Sequence, residues 1–164
     1  MSEMSEPAGR QSIAWGFVAV QFLLIALVVL MGGADAWPVP DWLEALTWVA
    51  MAIGVVVMIV AAAGLGRGLT AAPLPNAHAR LRTGGLYRLV RHPIYSGLLL
   101  FVVAHTVRAA SWLQVALCVA LVAVIAVKAR WEEARLSERF PGYAAYAART
   151  PRFVPLVRRS VTRD

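Results

Sequence analysis

The sequence predicts an all-α fold: a polytopic membrane helix bundle of four transmembrane helices, with a cytoplasmic C-terminal helix and arm. Three observations predict it. Of 164 residues, 60% are apolar and only 15% are charged. Soluble domains carry roughly 45–50% apolar residues, so the surplus calls for a hydrocarbon surrounding. The apolar residues gather into four continuous runs with no alternating period. The cations collect in alternate intervals between those runs, the pattern of a membrane protein.

The first run covers residues 13–31 and is interrupted only by Gln21. The second covers 42–65, with Glu44 near its start. Both reach the roughly 20 helical residues that a ~30 Å hydrocarbon core needs. The third, 93–108, is shorter. Pro93 suits a first helical position, where its missing N–H leaves nothing unpaired, and Arg108 reaches outward from the far end by snorkelling. The fourth, 111–130, follows a tight turn, so the last two runs form an antiparallel hairpin. Past it, 128–148 continues helically until Pro141-Gly142 breaks or kinks the helix. Pro151-Arg152-Phe153-Val154-Pro155 is too rich in proline for a helix and reads as an extended arm. The spacing of Gly64, Gly66 and Gly68 follows a membrane helix and no strand, so it ends a helix instead of cradling a nucleotide. The chain, 1–164, is expected to be one domain. Residues 1–10 hold Glu3, Glu6 and one arginine, and no small-residue cleavage site follows the first run, so that run is expected to be retained.

Fifteen of the sixteen Lys and Arg residues fall on one side of this topology. They are Arg10, then Arg67, Arg80, Arg82, Arg88 and Arg91 in the loop 66–92, then Lys128, Arg130, Arg135, Arg139, Arg149, Arg152, Arg158, Arg159 and Arg163. Only Arg108 stands apart, and the 32–41 loop has Asp35, Asp41, Pro38 and Pro40 but no cation. The positive-inside rule places that loop outside and both termini in the cytoplasm, in a multi-pass protein of the cell's inner membrane. The net charge of +7 then points to anionic membrane lipids as partners, and not to nucleic acid. Cys118 is alone and lies in an apolar run, which excludes an internal disulfide.

Chemistry concentrates where the basic loop meets the third run. His92 stands at the helix start, with Tyr95 and Ser96 three and four residues on, so these polar groups share one face. The positive helix end and its unpaired N–H groups favour an anionic group such as a carboxylate. Gly97, one turn in, is expected to let a ligand approach the backbone. Glu132 and Glu133 lie just past the hydrophobic end of the fourth run. Adjacent helical residues point about 100° apart, so at most one of them faces the bundle, and links to Arg130 or Arg135 are the plainer alternative. His105 reads as a bundle-facing polar contact and His78 as a solvated loop residue. Three scattered histidines and one cysteine do not form a metal site.

Taken together, the stretch Leu81-x-Thr83-Gly84-Gly85-x-Tyr87-Arg88-x-x-Arg91-His92-Pro93-x-Tyr95-x-Gly97, an apolar hairpin, Glu132-Glu133, Phe140-x-x-Tyr143-x-x-Tyr146 and Pro151-Arg152-x-x-Pro155 resembles the isoprenylcysteine carboxyl methyltransferases and their relatives, the phospholipid N-methyltransferases. The likeness covers roughly residues 65–156. It implies an S-adenosylmethionine-dependent membrane methyltransferase whose cofactor site is built from the 66–92 loop and the region 131–164. It implies cofactor contacts by Arg91, His92, Pro93, Tyr95, Gly97, Glu132 or Glu133, with Tyr143, Tyr146, Arg152 and Pro155 building the lid. Arg91, Tyr95 and Glu132 are the residues expected to be catalytic, with no metal. The segment from Phe140 to Tyr143 is one residue shorter than the family's usual Phe-Gly-x-x-Tyr.

The expected acceptor is a lipophilic small molecule entering from the bilayer, the carboxylate of an isoprenylcysteine-like compound by resemblance. A carboxylate is already ionised and needs no general base. An amine or thiol acceptor would need one, from Tyr87, Tyr95 or Glu132. Two other readings stand beside this one: an NADPH-dependent membrane reductase of the sterol-reductase type, with Arg149, Arg152, Arg158 and Arg159 on the 2′-phosphate, and a non-enzymatic membrane scaffold.

Overall fold

A computed structural model describes residues 8–74 and 78–155. Glu3, Glu6, Arg158, Arg159 and Arg163, which entered the reading of charge and topology, lie outside the described residues. The regular structure of the described residues is all helical: α1 (Ala8–Leu30), α2 (Asp41–Leu65), α3 (Pro93–Ala109), α4 (Trp112–Arg139) and the short α5 (Tyr143–Ala147). Single 3-10 turns follow α2 at Gly66–Gly68 and precede α3 at Gly85–Arg88.

The sequence explains where these helices stop. Gly66 ends α2 at φ +52°, a conformation only glycine adopts cheaply, and its N–H donates to the Ala62 carbonyl. Pro93 opens α3. Ala110 reverses the chain in the left-handed region at φ +46°, giving the tight turn into α4. Phe140-Pro141-Gly142 separates α4 from α5, so the helix past the fourth run breaks where its proline lies.

Among the described residues three helices are long and apolar enough to cross a membrane: α1, α2 with its 3-10 extension, and α4. The expected count of four therefore meets a shorter third member. With 17 residues, α3 rises only ~25 Å at about 1.5 Å per residue. Large apolar side chains cover the outside of the bundle, among them Trp15, Ile59, Trp112 and Val119, each more than 60% exposed, as a hydrocarbon solvent requires. Only the first part of α4 belongs to that surface: six of the ten residues from Arg130 to Arg139 are charged.

The helices alternate in direction, which gathers the functional segments at one end. There the Arg10 guanidinium donates to Glu138 at 3.2 Å, the Tyr87 hydroxyl donates to the Ala61 carbonyl at 3.3 Å, and α3 begins beside the charged part of α4. At the other end the 32–41 loop folds under the α3–α4 turn, with the Ala34 and Ala36 N–H groups donating to Ala109 and Ala110 carbonyls at 3.1 and 2.7 Å. Arg108, the outlying cation, lies 3.7 Å from Glu44 and over the Trp48 ring.

The core is a seam of Val28, Leu98, Val102, Cys118, Leu121 and Ile125 between α1, α3 and α4. α2 packs against α3 through two glycines set back to back. A Cβ on Gly97 would stand 2.5 Å from the Gly54 carbonyl oxygen, and one on Gly54 would stand 2.6 Å from that of Gly97. Close backbone approach at small residues is how helices associate where water supplies no hydrophobic drive. Gly97 is thus a packing residue against α2. The expectation that it opens α3 to a ligand gives way to this contact, whose other half lies 43 residues upstream.

Candidate active site

A cavity of about 740 Å³ opens between the start of α3 and the charged part of α4, within the roughly 300–1,000 Å³ of small-molecule sites. Its walls include Arg91, His92, Pro93, Tyr95, Glu132, Tyr143 and Tyr146, so seven of the residues singled out in the sequence converge on one hollow. Gly97, Glu133, Arg152 and Pro155 are not among its lining residues.

The two adjacent glutamates have parted roles. Glu132 faces the cavity, where it accepts a hydrogen bond from the Tyr95 hydroxyl at 2.8 Å. Glu133 points a third of a turn away, into a cluster of cations. It accepts from both Arg152 Nε and Nη2, at 2.9 and 2.7 Å, from His92 Nε2 at 3.0 Å, and lies 3.1 Å from the Arg91 guanidinium. Burial alone would raise its pKa, but Arg152, then His92 and Arg91, outweigh burial and hold it at about 2. It stays ionised and only accepts, so His92 donates through Nε2 and turns Nδ1 toward Glu132, 3.9 Å away. The His92 ring stacks on Tyr95 with centroids 5.3 Å apart, fixing both side chains at the cavity edge.

The arm is held by its backbone as well as by Arg152. The N–H groups of Arg91 and His92 donate to the carbonyls of Pro151 and Arg152 at 2.9 and 3.1 Å, and the Ser96 hydroxyl donates to that of Phe153 at 2.7 Å. Phe153 packs on the core seam and lies 6.0 Å from the His92 ring. The arm therefore clasps the α3 start from outside, while Pro155 at its end is exposed.

Tyr143 and Tyr146, on α5, close another side of the cavity. Both are buried, so the shortened Phe140–Tyr143 segment still delivers its tyrosine. The Tyr146 hydroxyl donates to the Tyr87 carbonyl, tying α5 to the loop before α3. Burial, then Glu132, raises the pKa of Tyr87, and burial, then Glu133, raises that of Tyr143. Burial pushes Tyr146 up to about 12. The Tyr87 and Tyr146 hydroxyls act as donors, to the Ala61 and Tyr87 carbonyls. Two wall residues carry buried polar atoms without a partner among the described residues, Arg91 Nε and the Tyr143 hydroxyl. Such atoms cost free energy until something bonds them.

Among the lining residues that sequence reasoning did not place at the site are Gln21 and Lys128. Each left a trace: Gln21 is the single polar break in the first run, and Lys128 precedes Glu132 by one helical turn. His105 stacks on Phe101, centroids 6.3 Å apart, inside the bundle. His78 is exposed, with its ring 3.2 Å from Arg67.

No curated protein matches the chain. The sequence profile of the phospholipid methyltransferase family matches residues 42–142, from the second apolar run through the glutamate pair to Gly142. That stretch is more than half of the chain and supplies most of the cavity wall, and the chain belongs to the phospholipid methyltransferase family.

Proposed function

We propose that the protein transfers a methyl group from S-adenosylmethionine to a lipophilic acceptor that partitions into the membrane, the carboxylate of an isoprenylcysteine-like compound. The reading places four crossings in the inner membrane, α3 completing its crossing with help from Arg108, and both termini and the cavity on the cytoplasmic face. The observation that carries it is the Tyr95–Glu132 pair in the wall of a cavity enclosed by the α3 start, α4 and α5.

The residues present suit this cofactor. Arg91, with an unpartnered Nε, and the first turn of α3, which His92 leaves without a side-chain cap, suit the amino-acid carboxylate. Glu132 suits the amine or the ribose hydroxyls. Tyr143 offers a hydroxyl and Tyr146 a ring at the edge of the hollow. S-adenosylmethionine supplies a methyl group on a sulfonium, which a carboxylate oxygen accepts to give the methyl ester and S-adenosylhomocysteine, with no proton to remove. The chain's own part is alignment and exclusion of water. Tyr95 holds Glu132 in place, and the arm and Glu133 hold His92 beside Tyr95. Lateral entry from the bilayer suits a lipophilic acceptor.

The test is calorimetric titration of the detergent-solubilised protein with S-adenosylmethionine, S-adenosylhomocysteine and NADPH. Saturable binding of the first two and none of the third is expected. NADPH binding alone would favour the reductase, and no binding of any would favour the scaffold.

A further inference from the structure

The cavity wall also holds a buried charge to which the cofactor reading assigns no part. Lys128 lines the cavity on α4 and is only 2% exposed. Its Nζ donates to Gln21 Oε1 at 2.6 Å and to the Ala71 carbonyl at 3.1 Å. An ammonium has three N–H groups, so two are met by neutral acceptors. Among the described residues Lys128 forms no ion pair. A buried cation in a membrane protein is costly and marks a ligand path by default.

The position says which ligand. Gln21 lies eleven residues beyond Arg10 on α1, ~16 Å along the helix at about 1.5 Å per residue, well into the apolar run. Phe22 beside it also lines the cavity and is 56% exposed on the outside of the bundle. The cavity thus reaches an outward-facing apolar side chain next to the residue that holds its buried ammonium. Tyr95 joins this end to the cofactor end: its ring centroid is 5.4 Å from Nζ, while its hydroxyl is on Glu132. α1 precedes the stretch matched by the family profile, so Gln21 and Phe22 are additions from outside it.

We propose that Lys128, held by Gln21 and Ala71, is the anion-binding residue of the acceptor subsite. It takes the carboxylate at the polar end of a lipophilic acceptor entering past Phe22, and so selects acidic over neutral lipophiles. The inference rests on the reading of this cavity as a methyl-transfer site. A carboxylate there completes the third N–H of Nζ and neutralises a charge that the fold leaves without a counter-ion at bonding distance. The wall favours the same sign, since Arg67, Arg80, Arg82, Arg91 and Lys128 line the cavity against Glu132 alone.

The experiment compares binding of N-acetyl-S-farnesylcysteine as the free acid and as its methyl ester to the full chain in detergent at neutral pH. S-adenosylhomocysteine is titrated in parallel. Wild type prefers the acid by about tenfold or more, the size of one charge-assisted hydrogen bond. Lys128→Gln removes that preference and leaves S-adenosylhomocysteine affinity unchanged, while Lys128→Arg retains most of the preference. Equal affinity of wild type for acid and ester overturns the proposal whether or not Lys128→Gln folds. So does a Lys128→Gln protein that still prefers the acid, or one that loses acid and S-adenosylhomocysteine binding in step. Gln21→Met, which keeps the charge and removes its holder, lowers the preference part-way. A wild type that prefers the acid yet binds no S-adenosylhomocysteine supports the anion subsite and removes the methyl-transfer reading.

Discussion

Glu133 and Arg152, nineteen residues apart, meet in a two-pronged ion pair at 2.9 and 2.7 Å, and through it the arm is fastened to α4. His92 and Arg91 approach the same carboxylate from α3 and its preceding loop. One carboxylate therefore joins three separate segments at the cavity edge without facing the cavity itself.

Removing that carboxylate is expected to loosen the arm and leave the bundle standing. Glu133→Gln should cost roughly 2 kcal/mol, between an exposed pair and a fully buried one. Trypsin should then cut at Arg152 much faster than in wild type, with helical content unchanged by circular dichroism. Equal cleavage rates in the two proteins would show that the backbone contacts alone hold the arm.

The same group sets an acid limit. Its folded pKa of about 2 lies below the ordinary 4.5, so it contributes stability that is fully present above about pH 4.5 and is lost as pH falls through about 2. Amide exchange at Arg91 and His92, whose N–H groups donate to the arm, should be slow at about pH 5 and quicken progressively between about pH 4.5 and about pH 2 as that stability is lost. Exchange that shows no change between about pH 5 and about pH 2 would contradict the assignment.

The cavity-facing pair should behave differently. Glu132→Gln is expected to weaken S-adenosylhomocysteine binding about tenfold or more, because it removes a charged acceptor worth roughly 1.5–3 kcal/mol. Tyr95→Phe, which leaves the charge and removes one hydrogen bond to it, should weaken binding less and keep the melting temperature within a few degrees of wild type, by about 1 kcal/mol of stability. A Tyr95→Phe defect larger than that of Glu132→Gln would reverse the proposed roles.

Gly97→Ala should damage packing and spare binding. Its Cβ would meet the Gly54 carbonyl at 2.5 Å, and overpacking of this kind costs about 1–3 kcal/mol. A lower thermal midpoint is expected, with S-adenosylhomocysteine affinity of the folded protein intact. A variant of normal stability that fails to bind would return Gly97 to the cofactor site.

The bundle was legible because its signals are local. A proline starts α3, a glycine stops α2, and the apolar runs and their flanking cations need no partner to be recognised. Placing His92 and Tyr95 beside the glutamates followed from the same topology. The parts that were not legible depend on pairs distant in the chain. Which glutamate faces the hollow is decided by the rotation of α4 about its axis, set by packing on α1 and α3. Gly97 takes its meaning from Gly54, and Lys128 from Gln21, 107 residues away. The arm's carbonyls carry no side-chain signature at all, so their pairing with Arg91 and His92 left no trace in residue types.

That last pairing carries an order of events. During synthesis α1 to α4 are complete before Pro151, Arg152 and Phe153 emerge, yet the amides of Arg91 and His92 find their acceptors only on those three residues' stretch. A nascent chain at the α5 stage would have its helices in the membrane and a loose-edged, leaky hollow. The clasp made after the helices is the one that turns a bundle into a closed-edged vessel.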